Sequence, residues 1–200
     1  RSCHRMNALV KNLLMLADLD NSRKLSLKPC DLVALTESCS YSLLAIYPEA
    51  CVETLQNQDE ILIDGDPDLL EQAIMNLLLN AVKYSQNPAH ITVTIRKEGP
   101  RVTLEVEDQG IGIDEEHLNE IFSRFYRVNK DRSRKLGGTG LGLSIVHSII
   151  EKHQGGIEVS SKKGVGTCFK MTFLASNLLE GERSVAYPHD SLSSASSWSK

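Results

Sequence analysis

The sequence predicts an α+β fold, a β-sheet covered on one face by helices and preceded by one bundle-forming helix. Three observations predict it. Residues 91–96 and 102–106 alternate apolar and polar on either side of a tight turn, Glu98 to Arg101, which marks a half-buried hairpin. Apolar residues recur at helical spacing over 67–84 and 139–153. The order is one helix, then strands and helices mixed with several hairpins, unlike the strict alternation of a doubly wound parallel sheet.

The first helix carries Met6, Leu9, Val10, Leu13, Leu16, Ala17 and Asp20 at three- and four-residue steps, all but the last apolar. One helix cannot bury that seam alone. No second long seam helix follows, so a partner helix is expected from elsewhere. Leu25 to Lys28 reads as a short strand closed by Pro29. Asp31 is positioned to cap a helix to about Ile46, ended by Pro48. Cys51 to Leu55 and Glu60 to Ile63 read as two strands joined by the polar turn 56–59. Asp66 and Pro67 open a long helix to about Tyr84. After the hairpin, a short acidic helix is expected from Asp114 to Phe122. Residues 127–138 carry Arg127, Lys130, Arg132, Arg134 and Lys135 and read as a mobile loop. A helix from about Thr139 to His153 and strands at 157–160 and 168–174 complete the pattern. Six of the last ten residues are serine, so a disordered tail is expected.

Composition narrows the function. The 200 residues, 41% of them hydrophobic, suffice for one cored domain with an appendage. With 22 Lys+Arg against 26 Asp+Glu the formal charge is −4, which argues against a nucleic-acid surface. No apolar run approaches the ~18–20 residues of a membrane span, and the opening RSCHRMN has no signal-peptide core. A first residue of Arg suggests a piece of a longer protein. The five cysteines include no C-x-x-C pair, so packed, reduced thiols in a cytosolic setting are expected.

Four features carry chemistry. On the long helix, Gln72, Asn76, Asn80 and Lys83 fall within an arc of roughly 80°, opposite Leu70, Ile74, Leu77, Leu78 and Ala81. Amide oxygens can ligate Mg²⁺ and a lysine can meet a phosphate, although an ordinary polar face would look similar. Asp108 continues the inward series 102, 104, 106, so an acid sits where a core side chain belongs. Such a carboxylate needs a fixed hydrogen-bond donor, and a purine amine is one; Gly110 and Gly112 would let backbone approach a ligand, or simply turn. Gly137 to Gly142 precede an amphipathic helix and suit an anion at its N-terminus. They form neither a Walker A motif nor a dinucleotide fingerprint. Gly164 to Thr167 alone would be only a hairpin turn.

Together and in this order, these features resemble the nucleotide-binding boxes of sensor histidine kinases, a family grouped with DNA gyrase, Hsp90 and MutL. The stretch from Gln72 to Ser85 resembles the N-box, and Asp108 to Ile113 the first glycine box. Phe122 to Arg127 resembles the F-box that sets the kinases apart. Gly138 to Leu143 and Gly164 to Thr167 resemble the second and third glycine boxes. Residues 4–20 are similar to the second helix of the family's dimerisation and phosphotransfer hairpin. His4 sits in the wrong helix to be the phosphoacceptor.

The resemblance implies a two-layer sandwich of a mixed β-sheet covered on one face by helices, the Bergerat ATP-binding fold. It divides the chain into a hairpin helix at 1–22, a catalytic ATP-binding domain at 23–175 and a Ser-rich tail at 176–200. It implies ATP and Mg²⁺ as cofactors, with Asn80 on the metal and Asn76, Lys83 and Arg127 on phosphates. Tyr84 would pack on the adenine, Asp108 would accept its amino hydrogen, and Gly110, Gly112 and Ile113 would shape that end. Arg134 or Lys135 would reach phosphate from a lid at 128–138. Gly138, Thr139, Gly140, Leu141 and Gly142 would cradle the β- and γ-phosphates, and Thr167 would lie near the adenine. The phosphoryl group would pass to a histidine outside the chain, then to an aspartate of a response-regulator receiver domain. A second copy of the parent would pair through the hairpin, and a bacterial inner-membrane anchor would belong to other parts of the parent. A serine kinase of the anti-sigma type is an alternative, opposed by the F-box and the first helix. A non-catalytic nucleotide-binding or dimerisation module is another, opposed by the intact boxes.

Overall fold

The computed structural model describes residues 2–20, 24–128 and 138–176. The expected lid with Lys130, Arg132, Arg134 and Lys135, and the serine-rich tail beyond Ser176, lie outside the described residues, as does the side chain of His4. Helix α1 spans Ser2–Asp20, β1 Lys28–Asp31, α2 Leu32–Ile46, β2 Cys51–Gln56, β3 Leu62–Gly65 and α3 Pro67–Tyr84. Strands β4 (His90–Glu98) and β5 (Arg101–Asp108) follow, then a single 3₁₀ turn at Glu115–His117. Helix α4 (Gly142–Lys152) and strands β6 (Gly156–Lys162) and β7 (Gly166–Leu174) close the fold.

The main sheet is mixed, in the order β2-β4-β5-β7-β6, with only the β2–β4 pair parallel. Its inner face carries Ile91, Val93 and Ile95 of β4, Val102, Leu104 and Val106 of β5, and Phe169, Met171 and Phe173 of β7. Against it lie the apolar stripes of α3 (Leu70, Ala73, Ile74, Leu77, Leu78) and α4 (Ile145, Val146, Ile149, Ile150), all buried. The α+β class and the helical cover on one face thus stand as the sequence predicts. Asp66 caps α3, its carboxylate accepting the Leu69 amide at 3.4 Å. Asp31 caps α2 by accepting from Val33 at 3.0 Å.

Five expectations need correction. The first strand is Lys28–Asp31 and runs through Pro29 instead of ending before it. It has a neighbour on one side only, β3, and such an edge tolerates the missing N–H. Strands β2 and β3 do not join as a turn-linked pair, because they belong to different sheets. Asn57, just past β2, is held to the end of β4 by reciprocal bonds with Lys97, at 3.1 and 3.0 Å. The acidic helix 114–122 reduces to one 3₁₀ turn with i→i+3 bonds. Asp114, where that helix was expected to start, makes no side-chain cap bond and meets Lys163 with its carboxylate at 2.8 Å. Helix α4 starts at Gly142 rather than Thr139 because Gly140 has φ +76, a left-handed conformation that no helix continues. Ser176 is fixed to β3, its amide bonded to the Leu62 carbonyl at 2.8 Å, so the tail does not begin there.

Helix α1 supplies the sixth difference. Its seam is not wholly left to a partner: Leu16 and Leu19 are each 2% exposed, and α1 packs on α4. Met6, Val10, Leu13 and Leu14 remain exposed on the other side.

Candidate functional site

At one end of a cleft stands Asp108, the last residue of β5. Register pairs it with Ile91 of β4 and Thr167 of β7, at the edge of the inner face. It is 7% exposed. Burial pushes its carboxyl up to about 6 from an ordinary 3.8, while hydrogen bonds from the Gly110 and Thr167 backbones pull the other way. The Gly110 amide donates to Oδ1 at 2.8 Å. Thr167 is also buried, and its hydroxyl meets Ser161 Oγ at 2.8 Å. Ser161 Oγ in turn accepts the Ile113 amide at 2.8 Å, which ties the first glycine turn to β6.

The α3 face forms the floor. Asn76, Asn80, Lys83 and Tyr84 line the cleft together with Leu79, at steps of 3, 1, 3 and 1 residues. Lys83 Nζ stands 5.2 Å from the Tyr84 ring centroid, a cation–π distance. Asn76 Nδ2 is buried with no hydrogen-bond partner among the described residues. A donor left unpaired in this way marks a place where a polar ligand would repay desolvation. Gln72, the first residue of the same polar row, is not among the lining side chains.

The far end is made by Arg127, Gly138, Thr139, Gly140 and Gly142. Arg127 donates to the Gly138 carbonyl and so joins the two described ends of the loop between them. Helix α4 begins behind Leu141 without any side-chain cap, so its first-turn amides keep donor capacity for an anion. Thr139 Oγ1 accepts the Leu141 amide at 3.3 Å.

The structure gathers most of the sequence-predicted residues around one cleft of about 360 Å³, Gly112, Ile113 and Thr167 included. That volume suits a small organic ligand. Two predicted residues stand elsewhere. Leu141 is fully buried in the core, and only its backbone borders the turn. Gly110 does not line the cleft. A Cβ there would stand 2.5 Å from Asp108 Oδ1 and 2.6 Å from the Tyr84 carbonyl oxygen, so its need for glycine is close packing behind Asp108. Arg134 and Lys135 lie outside the described residues. The lining residues that sequence reasoning missed include Asn12, Leu79, Tyr126 and Phe169. Leu79 was recoverable from helical spacing with Asn76 and Asn80, and Phe169 from its place two residues beyond Thr167 on the same strand face. Tyr126 sits in the F-box stretch, where its hydroxyl meets His117 Nδ1 at 2.8 Å. Asn12 carried no local signal.

No group of three or more His, Cys, Asp or Glu able to hold a metal exists among the described residues. A hard cation in this cleft would therefore draw on an amide oxygen and on oxygens of its ligand, as Mg²⁺ does beside phosphates. The side chains present fit that chemistry: amides and a lysine on one wall, free helix-terminal N–H groups on the other. No helix among the described residues is long and apolar enough to cross a membrane.

Comparison with known proteins meets this geometry. Residues 65–177 match the family described as histidine kinase-, DNA gyrase B-, and HSP90-like ATPase. The chain is 38% identical over 173 residues to the sensor histidine kinase YkoH of Bacillus subtilis (strain 168), covering 86% of this chain and 37% of that protein. It is 34% identical over 171 residues to the sensor-like histidine kinase SenX3 of Mycolicibacterium smegmatis, covering 84% of this chain and 44% of that one. It thus spans less than half the length of these curated relatives. Full-length ShkA, solved in complex with AMPPNP, superposes with a TM-score of 0.72 at 27% identity, over 84% of this chain and 36% of that chain. The matched stretch contains α3, both ends of the cleft and the strands that place Asp108 and Thr167, and on that ground the chain belongs to the histidine kinase-, DNA gyrase B- and HSP90-like ATPase family.

Proposed function

We propose that this chain is the Mg-ATP-binding catalytic module of a two-component sensor histidine kinase. The observation that carries it is the pairing of two unlike ends in one cleft. A buried acceptor, Asp108, suits the amino group of adenine, and an uncapped helix start with Thr139 and three glycines suits the phosphates. Asp108 accepts from the adenine amine, Tyr84 packs on the base, and Gly112, Ile113 and Thr167 shape its surroundings. Gly110 supports Asp108 from behind. Asn80 holds Mg²⁺, while Asn76, Lys83 and Arg127 hold phosphate oxygens, as do the backbone amides from Gly138 to Gly142. Arg134 or Lys135 reaches the phosphates from the lid. Mg²⁺, when bound, supplies charge that stabilises the phosphates during transfer. The residues here position the phosphoryl donor, and catalysis is positioning plus electrostatics.

On this reading residues 1–22 belong to a dimerisation and phosphotransfer hairpin and 23–175 to the catalytic domain. The γ-phosphoryl group goes to a histidine outside this module and then to an aspartate on a response-regulator receiver domain. The parent works as a homodimer, and any membrane anchor lies in other parts of it. The resemblance to YkoH and SenX3 supports these steps. The test is a calorimetric titration of the chain with a non-hydrolysable ATP analogue, with and without Mg²⁺, and with GTP as control. Adenine-selective binding strengthened by Mg²⁺ is expected. A folded sample that binds neither nucleotide overturns the reading.

A further inference from the structure

Helix α1 precedes the family-matched stretch, which begins at residue 65, yet it reaches the nucleotide cleft. Asn12 lines that cleft and donates from Nδ2 to Thr139 Oγ1 at 3.3 Å. Leu16 and Leu19, one and two turns further on the same face, are buried. At the end of the helix, both carboxylate oxygens of Asp20 accept from Arg124 Nη2 at 2.8 Å. Arg124 precedes Phe125, a non-glycine residue held at φ +64, whose amide donates to the Gly140 carbonyl at 2.8 Å. Two separate contacts thus tie α1 to the glycine turn: directly through Thr139, and by way of Arg124 and Phe125 to Gly140.

The chemistry at Thr139 gives the contact a direction. Its hydroxyl oxygen already accepts from Leu141 and from Asn12. With both lone pairs engaged, the O–H is left to donate to a further group, and an anion in the cleft would be an acceptor for it. The Asn12 amide carries a second N–H beside the first.

We propose that α1 is a wall of the nucleotide site, and that Asn12 is a positioning residue for the terminal phosphates. It orients the Thr139 hydroxyl toward them and couples nucleotide binding to docking of α1 on α4. The inference rests on the nucleotide reading above. Coupling is reciprocal: a terminal phosphate that gains from docked α1 tightens the docking by the same factor. A helix leading into the domain would then report, at its docked end, whether a triphosphate is present.

The test uses the full 200-residue chain, titrated with Mg²⁺ and either AMP-PNP or AMP. Asn12→Leu is expected to weaken AMP-PNP by about tenfold, the scale of one lost hydrogen bond to a charged group, and to leave AMP within twofold. Asp20→Asn, a mild surface change, should weaken AMP-PNP in the same selective way but less. Backbone amide exchange over residues 9–20 should slow when AMP-PNP is added to the parent and not when it is added to Asn12→Leu. Equal affinities for both variants and parent, equal losses for both nucleotides, or unchanged exchange in the parent would each overturn the coupling. A parent that binds neither nucleotide defeats the nucleotide reading itself. A parent that binds both, with variants indistinguishable from it, defeats the coupling and the role of Asn12 while the nucleotide reading stands.

Discussion

The Gly110 amide donates a 2.8 Å hydrogen bond to Asp108 Oδ1, two residues back along the chain, and so fixes a buried carboxylate at the mouth of the cleft. That bond offsets only part of the desolvation, since Asp108 still sits with a pKa of about 6 instead of 3.8. The protein holds an acid in a position that disfavours its charge, which is the usual mark of a group kept for binding rather than stability.

Asp108→Asn should therefore stabilise the fold and weaken adenine recognition together. A raised acid pKa means that the native state binds more protons than the unfolded chain between about pH 4 and 6. The group's contribution is fully present at about pH 4 and is lost as pH rises through 6. Above pH 6 the ionised carboxylate is a standing cost of about 3 kcal/mol, from the difference between 3.8 and about 6. The variant should melt higher than the parent at pH 7.5, with the gap closing toward pH 4. Its affinity for an adenine nucleotide should fall about tenfold or more. Thermal melts across pH and titration calorimetry check the two halves, and a variant that binds ATP like the parent removes Asp108 from the site.

Gly110→Ala tests the support behind that carboxylate. The added methyl would meet Asp108 Oδ1 at 2.5 Å and the Tyr84 carbonyl oxygen at 2.6 Å. Overpacking against backbone should cost about 1–3 kcal/mol and displace Asp108. Gly156→Ala is the matched control, because nothing lies within 4 Å of a Cβ at that position. Denaturant unfolding should separate the two, with the Gly156 variant within about 1 kcal/mol of the parent.

Asn76 and Asn80 divide the phosphate side between them. Asn76 Nδ2 is buried and unpaired among the described residues, a cost of about 1–3 kcal/mol in the free protein. Asn76→Leu, similar in volume, should leave the free fold as stable or more so while weakening a triphosphate analogue. Asn80→Ala should instead remove the Mg²⁺-dependent part of the affinity and leave the Mg²⁺-free part nearly unchanged. Titrations with and without Mg²⁺ distinguish them. A Mg²⁺ effect that survives in Asn80→Ala would place the cation elsewhere.

Much of this was legible in the sequence because it was local. The caps Asp31 and Asp66 and the stripe of α3 follow from residues within a few turns of one another. Asp108 announced itself by breaking an inward series of apolar residues. The failures are non-local. Strand β2 pairs in parallel with β4, Cys51 against His90, and β3 pairs with β1, so neither partner is set by the short turn between β2 and β3. A 3₁₀ turn stands where a helix was expected, and Asp114 beside it bonds Lys163, forty-nine residues away, and caps no amide. Asn12 enters the cleft through docking of α1, to which no period or spacing in α1 points. Gly110 was expected to face a ligand, yet its constraint comes from Tyr84 at the end of another element.

His153 links the ends of the two helices that frame the cleft, and its test concerns acid. Its Nδ1 meets the Ile149 carbonyl at 2.7 Å, and its Nε2 accepts the Asp66 amide at 3.0 Å, at the N-cap of α3. That pattern fixes the neutral ring, with the proton on Nδ1. Burial holds its pKa below the ordinary 6.5, although the Ile149 carbonyl and the nearby Asp66 carboxylate favour the proton. A lowered basic pKa means that the unfolded chain binds the proton first. The stabilisation is present above about pH 6.5 and is lost as pH falls below it. This slope is opposite to that of Asp108, so the two groups oppose each other in the parent as pH falls below about 6. His153→Gln keeps a neutral side chain and removes the titration. It should cost about 1 kcal/mol at pH 7.5, the worth of one buried hydrogen bond. Its stability deficit relative to the parent should then narrow as pH falls below 6.5, because the parent alone loses the His153 contribution. Urea unfolding at pH 7.5, 6 and 5 measures this, and a variant whose pH profile parallels that of the parent shows that His153 does not couple α3 to α4 through its neutral ring.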